Sequence, residues 1–116
     1  MRFLLCLPAC LGLLSCDADR ERASHIAVKS LAAAPESKVP GEMQRVLALG
    51  RYALPDIEQE IHGASSRGRL RLLEALRRLK DREALPLVDT VARWDVDPGA
   101  RALAKEVAQE LRNASR

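Results

Sequence analysis

The sequence predicts an all-α chain, and three observations predict it. Apolar residues recur at three- and four-residue spacing from Gly41 to about Asn113. No segment shows the apolar–polar alternation of a half-buried strand. Pro55 and Pro86 are best placed in the first turns of helices, because inside a helix each would remove a hydrogen bond and clash with the preceding turn. The 116 residues make one small domain, 47% hydrophobic and 30% charged, with a core of Leu, Val, Ile and Ala. Aromatics are only 3%, so there is little flat surface for stacking bases or lining a cofactor pocket. The net charge of +3, from 19 basic and 16 acidic residues, is too balanced to make nucleic acid the leading partner.

The chain begins with one positive charge, Arg2, followed by an uncharged, Leu-rich stretch from Phe3 to Leu14. Its twelve residues suit the hydrophobic region of an export signal and are short for a spanning helix, which needs about 20. The stretch ends Leu13-Leu14-Ser15-Cys16 and gives way to the polar Asp17-Ala18-Asp19-Arg20-Glu21-Arg22. Leu13-Leu14-Ser15-Cys16 resembles the lipobox of bacterial lipoproteins. That resemblance implies cleavage after residue 15 and a diacylglycerol-modified Cys16, so that residues 1–15 are a signal peptide and 16–23 a charged tether. Leu7-Pro8-Ala9-Cys10 has a similar look, but cutting there leaves a signal too short to insert. An ordinary secretory signal fits less well, since Leu13 is large where such signals prefer a small residue.

The lipoprotein reading disposes of the cysteines. Cys6 and Cys10 leave with the signal, Cys16 is acylated, and residues 17–116 contain none. The mature chain then holds no disulfide, thiolate nucleophile or cysteine-based zinc site. It is expected in the cell envelope, held in a lipid bilayer through Cys16. In well-studied enteric bacteria, Asp after the lipidated cysteine retains a lipoprotein in the inner membrane. Asp17 matches that pattern, but the rule is not general, and inner and outer membrane both stay open.

The body, residues 24–116, reads as successive helices. Ser24 to Ala34 is the first and least regular. Met43, Val46, Leu47 and Gly50 share a face in the next. Leu54, Ile57, Ile61 and Ala64 follow, then Leu72, Leu73, Leu76 and Leu79 between Arg67 and Lys80. Leu87, Val88 and Val91 mark the segment from Glu83 to Trp94. The last helix, from Pro98, has Leu103, Val107 and Leu111 beside Ala100, Ala104 and Ala108, which implies neighbours on two sides. Ser66 is expected to cap the helix after Gly63-Ala64-Ser65, Asp97-Pro98 to open the last one, and Pro35 and Pro40 to bracket the first loop.

Two of these prolines belong to a repeat. Ala53-Leu54-Pro55-Asp56-Ile57 answers Ala84-Leu85-Pro86-Leu87-Val88 at a spacing of 31, and Arg69, Glu74 and Leu79 answer Arg101, Glu106 and Leu111 at 32. Together with Asp97-Pro98-Gly99-Ala100-Arg101, this resembles short HEAT-like repeats of the phycobilisome-lyase type. The likeness is best over residues 67–112, fair over 41–66 and poor earlier; Gly63-Ala64-Ser65-Ser66-Arg67 departs from the usual Asp-Pro turn. It implies a short α-solenoid of about three antiparallel helix pairs, an architecture that presents an extended binding face. The family's catalytic members carry large additional domains, so the resemblance implies no activity here.

Catalytic and metal readings find little support. His62 follows Glu58 by four residues, but two ligands do not complete a zinc site, and a histidine near a helix C-terminus is favoured by the dipole. Gly63-Ala64-Ser65-Ser66-Arg67-Gly68 lacks both the nucleophile-elbow spacing and a phosphate-loop lysine. Asp95 and Asp97 beside Trp94 are expected to be a solvated residue and a helix cap. No cofactor and no catalytic residue is expected.

The most informative charged segment runs from Arg67 to Arg82, where seven basic residues face two acidic ones. Helical spacing places Arg67, Arg71, Arg78 and Arg82 in one narrow, solvent-facing sector, with Glu74 among them and pairing with Arg71 and Arg78. Such a stripe solubilises a helix, or it binds carboxylates or phosphates. The leading expectation is a membrane-tethered, non-catalytic module that binds an envelope protein through these arginines. The alternative is an envelope structural lipoprotein whose arginine face holds anionic lipid or polymer. If the stripe is free, charge reversal at Arg71 and Arg78 leaves the fold intact. Failing that, Tyr52 and Trp94 are the next places to look.

Overall fold

The computed structural model describes residues 2–114, with side chains from residue 18 onward. Cys16 and the signal-peptide reading of residues 1–15 therefore lie outside the described side chains. Among the described residues the regular secondary structure is all helical, with no strand. Six α-helices follow one another: α1 (Arg2–Ala33), α2 (Val39–Leu49), α3 (Leu54–Ile61), α4 (Ser66–Leu79), α5 (Leu85–Trp94) and α6 (Pro98–Ala114). Among the described residues, no helix is long and apolar enough to cross a membrane.

One local device recurs at three helix starts. Single turns of 3₁₀-helix, Glu36–Lys38, Gly50–Ala53 and Arg82–Ala84, lead directly into α2, α3 and α5. Each of those helices then places a proline, Pro40, Pro55 or Pro86, in its first two positions, where the missing N–H has no intrahelical partner to lose. Pro40 thus opens α2 rather than closing the preceding loop. The alanines ending the second and third turns, Ala53 and Ala84, are buried.

The starts of α4 and α6 use side-chain caps. The Ser65 hydroxyl accepts a hydrogen bond from the Gly68 N–H at 3.1 Å, and Asp97 Oδ1 accepts one from the Gly99 N–H at 3.2 Å. Ser65, not Ser66, is the α4 cap. Its extended backbone aims the hydroxyl back at the first turn, whereas Ser66 is already helical. At the far end of α4, Lys80 takes a left-handed conformation (φ 53°) and its N–H bonds the Leu76 carbonyl. Lysine holds a position that usually falls to glycine.

Helix α1 packs on α2, α3 and α4, α4 packs on α6, and α6 on α5. The core between them is aliphatic. Val28 and Leu31 of α1, Val46 of α2, Ile57 and Ile61 of α3, Leu72, Leu73 and Leu76 of α4, Val88 of α5 and Val107 of α6 belong to one buried cluster. Ala100 and Ala104 of α6 are fully buried, so the two-sided stripe expected for that helix is present. Ser24 is the first buried residue among those described; residues 18–23, expected as a tether, are exposed and continuous with α1. The crossing of α1 and α4 depends on Gly68, where a Cβ would sit 3.0 Å from the Ala32 carbonyl.

Candidate functional site

Helix α4 turns Leu72, Leu73 and Leu76 into the core, which leaves the arginines of its other sectors to the edges. Along the edge shared with α2 runs a groove of about 470 Å³. Val39, Pro40 and Met43 from α2 and Leu70 from α4 give it an apolar lining. Arg67, Arg71 and Arg78 are distributed along it, with Glu36 and Glu74 as the only carboxylates among its lining residues. Three guanidinium groups against two carboxylates leave the groove positive.

The three arginines are not equivalent. Arg67 is 72% exposed at its side chain and Arg78 51%, as expected of a surface stripe. Arg71 corrects that expectation, being only 8% exposed. One arm of its guanidinium, Nη1, donates to the carbonyls of Ala34 and, at 3.4 Å, Leu31, where α1 ends. Helix ends leave carbonyls without intrahelical donors, and Pro35 cannot supply an N–H. Arg71 supplies the donor for the Ala34 carbonyl from 37 residues downstream and adds a second donor to the Leu31 carbonyl, which also accepts the Ala34 N–H at 3.4 Å. Its other arm, Nη2, donates to Glu36 Oε1 at 3.1 Å. Arg67 approaches the same oxygen at 3.7 Å. Two arginines thus share one exposed carboxylate.

Glu74 serves the second pair. It was expected between Arg71 and Arg78, but Arg71 is committed to α1, and Glu74 instead bonds Arg78 Nε at 3.1 Å and Arg77 Nη2 at 2.5 Å. Burial pushes the Glu74 carboxyl up, yet the hydrogen bonds and charges of Arg77 and Arg78 outweigh it and hold it below the usual carboxylate value. Arg82 does not join the row. The left-handed turn at Lys80 ends α4, and Arg82 lies in the following 3₁₀ turn, away from the groove lining. The structure therefore brings Arg67, Arg71 and Arg78 together and separates Arg82 from them.

A smaller cavity of about 210 Å³ lies between the α3–α4 and α5–α6 connections, beside exposed Trp94 and Val96. Its wall holds an ion pair, Arg69 Nε to Asp95 Oδ2 at 2.8 Å, with only 15% and 6% of the two side chains exposed. Asp95 is thus buried and paired rather than solvated. Arg69 also donates to the Ala64 carbonyl and Arg101 to the Asp95 carbonyl, each at 2.6 Å. The matching arginines 32 residues apart do matching work, each tying the turn before its helix to that helix.

A third cluster joins α1 to the start of α3. Ser24 Oγ donates to Asp56 Oδ2 at 2.5 Å and approaches the Tyr52 carbonyl at 3.2 Å; His25 Nδ1 lies 3.5 Å from Asp56 Oδ1. The residue types are those of a hydrolytic triad, but the arrangement is not. The serine bonds the carboxylate directly, with no imidazole between them, and is 1% exposed. The cluster is a latch. Among the described residues, no group of three or more His, Cys, Asp or Glu could hold a metal ion.

Comparison with protein-family models, with curated proteins and with solved structures finds no match for this chain.

Proposed function

We propose that this chain is a membrane-anchored, non-catalytic interaction module of the bacterial cell envelope, acylated at Cys16, that binds a protein through the groove between α2 and α4. The observation that carries this reading is the groove's composition: an apolar lining bordered by Arg67, Arg71 and Arg78 and keeping a positive excess. Protein interfaces combine a desolvated apolar centre with a charged margin, and arginine is enriched in them. The lipoprotein part rests on the order of charge, apolar stretch, Leu13-Leu14-Ser15-Cys16 and polar sequel. The HEAT-like part, a short solenoid of antiparallel helix pairs, draws support from the 3₁₀-turn and proline device at three helix starts and from the paired roles of Arg69 and Arg101. Solenoid repeats bind along extended faces without needing an enclosed pocket.

The test is co-purification from native membranes. The wild-type chain should retain a protein in a fixed ratio, and the double variant Arg67→Glu/Arg78→Glu should lose it while keeping its thermal melt. Undiminished recovery by the double variant would remove the groove from the function. The mature chain should also begin at Cys16 and carry the mass of attached lipid; a soluble chain beginning elsewhere would contradict the anchor.

A further inference from the structure

We infer that Arg67 and Arg71 form a carboxylate clamp held shut by the chain's own Glu36, and that its occupant is an acidic, amphipathic segment of a partner protein. The inference rests on the docking reading above and deepens it. Arg71 supplies the first ground. Its side chain is 91% buried, and Nη1 is fixed by the Ala34 and Leu31 carbonyls. That leaves Nη2 aimed at the groove in a position set by the fold. A guanidinium held this way needs no reordering to receive a carboxylate, and its planar fork suits one.

The present occupant is replaceable. Glu36 belongs to the 3₁₀ turn Glu36–Lys38, which contains no buried residue, and its own side chain is 74% exposed. Its contact with Arg67 is between two exposed side chains at 3.7 Å, the class of ion pair that contributes least to stability. The Glu36 carboxylate can swing into water and leave Arg71 still anchored by two carbonyls. Glu36 thus behaves as a competing internal ligand.

Charge and shape choose the occupant. Positive excess selects an acidic ligand, and Val39, Pro40, Met43 and Leu70 beside the clamp select one that also brings apolar side chains. A membrane surface fits less well. Arg71 is recessed to 8% exposure, so a flat array of headgroups meets Arg67 and Arg78 but not the buried fork. A glutamate or aspartate side chain entering the groove reaches it.

The experiment titrates the full chain in detergent with a labelled synthetic helical peptide carrying Leu and Glu on adjoining faces, against the same peptide with Gln for Glu. The Leu/Glu peptide should bind, and the Leu/Gln peptide should bind about tenfold more weakly, as expected for a buried charged contact. Glu36→Gln, which keeps shape and removes the competing charge, should tighten the Leu/Glu peptide about threefold or more, and Arg67→Gln should weaken it comparably. A thermal melt confirms that both variants are folded. Equal binding of the two peptides, or unchanged affinity in Glu36→Gln, overturns the clamp while leaving co-purification through the groove standing. Displacement of the peptide by millimolar glycerol phosphate makes this a phosphate site and also overturns it. If the co-purified protein survives Arg67→Glu/Arg78→Glu, it is the docking reading that fails.

Discussion

Arg71 on α4 donates its Nη1 hydrogen bond to the Ala34 carbonyl, 37 residues earlier, and so closes the C-terminal end of α1 from another helix. The contact decides two things at once. It fixes how the first helix leaves the bundle, and it turns a residue with the sequence character of a solvated arginine into a buried donor.

Arg71→Met should therefore cost about 1–3 kcal/mol, the penalty for leaving the buried Ala34 carbonyl without its donor. Arg71→Glu should be worse still, since it adds a buried negative charge against the same carbonyl. Urea unfolding measures both. A near-neutral Arg71→Met would show that water replaces the guanidinium and that the α1 terminus is not closed from α4.

Arg67 and Arg78 should behave oppositely. Both are well exposed at their side chains, and their partners Glu36 and Glu74 keep other arginines. Reversal to Glu at these two positions should change stability by about 0.5 kcal/mol or less each. A melt that collapses for either single variant would place it in the folded framework with Arg71.

How much of this was legible in the sequence follows from what a helical repeat can report. Proline positions and apolar spacing marked the starts of α3, α5 and α6 and the inward faces of Leu76 and Val107, because both signals act within one helix. The burial of Arg71 is not a property of α4 alone. It arises because α1 ends against that residue, and spacing along α4 carries no information about a terminus 37 residues away. Arg82 was misplaced for a related reason. The apolar stripe ends the segment at Lys80, within one residue of the observed end, but helical spacing was carried on to Arg82, beyond the left-handed turn at Lys80 that breaks the row. The Arg69–Asp95 pair also escaped notice as a buried contact, although Arg69 had been singled out by its spacing of 32 from Arg101.

That pair supports its own prediction. Removing one member of a buried ion pair strands the other, so Asp95→Ala should cost about 3–5 kcal/mol. Replacing both, as Arg69→Met/Asp95→Leu, should recover much of the loss, since apolar substitutes of similar size can be nearly neutral. A double variant as unstable as the single one would mean that the Arg69 contact to the Ala64 carbonyl, at 2.6 Å, is the essential part.

The aliphatic core should respond to truncation according to burial. Leu76 is fully buried, so Leu76→Ala should cost about 2–5 kcal/mol. Leu103 is only partly buried against the same cluster and should cost less. Chemical denaturation ranks the two, and a larger loss at Leu103 would contradict the assigned face of α6.

Acid should find Glu74. Its folded carboxyl sits below the ordinary value of 4.5, so its contribution is present above that pH and is lost as pH falls through the lowered folded value. Glu74→Gln should accordingly flatten the decline in melting temperature below about pH 4.5 while removing a little stability at neutral pH. An unchanged acid limb in the variant would mean that Arg77 and Arg78 do not hold this carboxylate.

The most direct test of the docking claim places a photoactivatable side chain at Leu70, in the groove, and in a second variant at Gln109, on the exposed side of α6, each in native membranes. The account predicts a protein adduct from Leu70 that disappears when Arg67→Glu/Arg78→Glu is added, and no such adduct from Gln109. Adducts formed equally from both positions, or only with lipid, would contradict a protein-binding groove between α2 and α4.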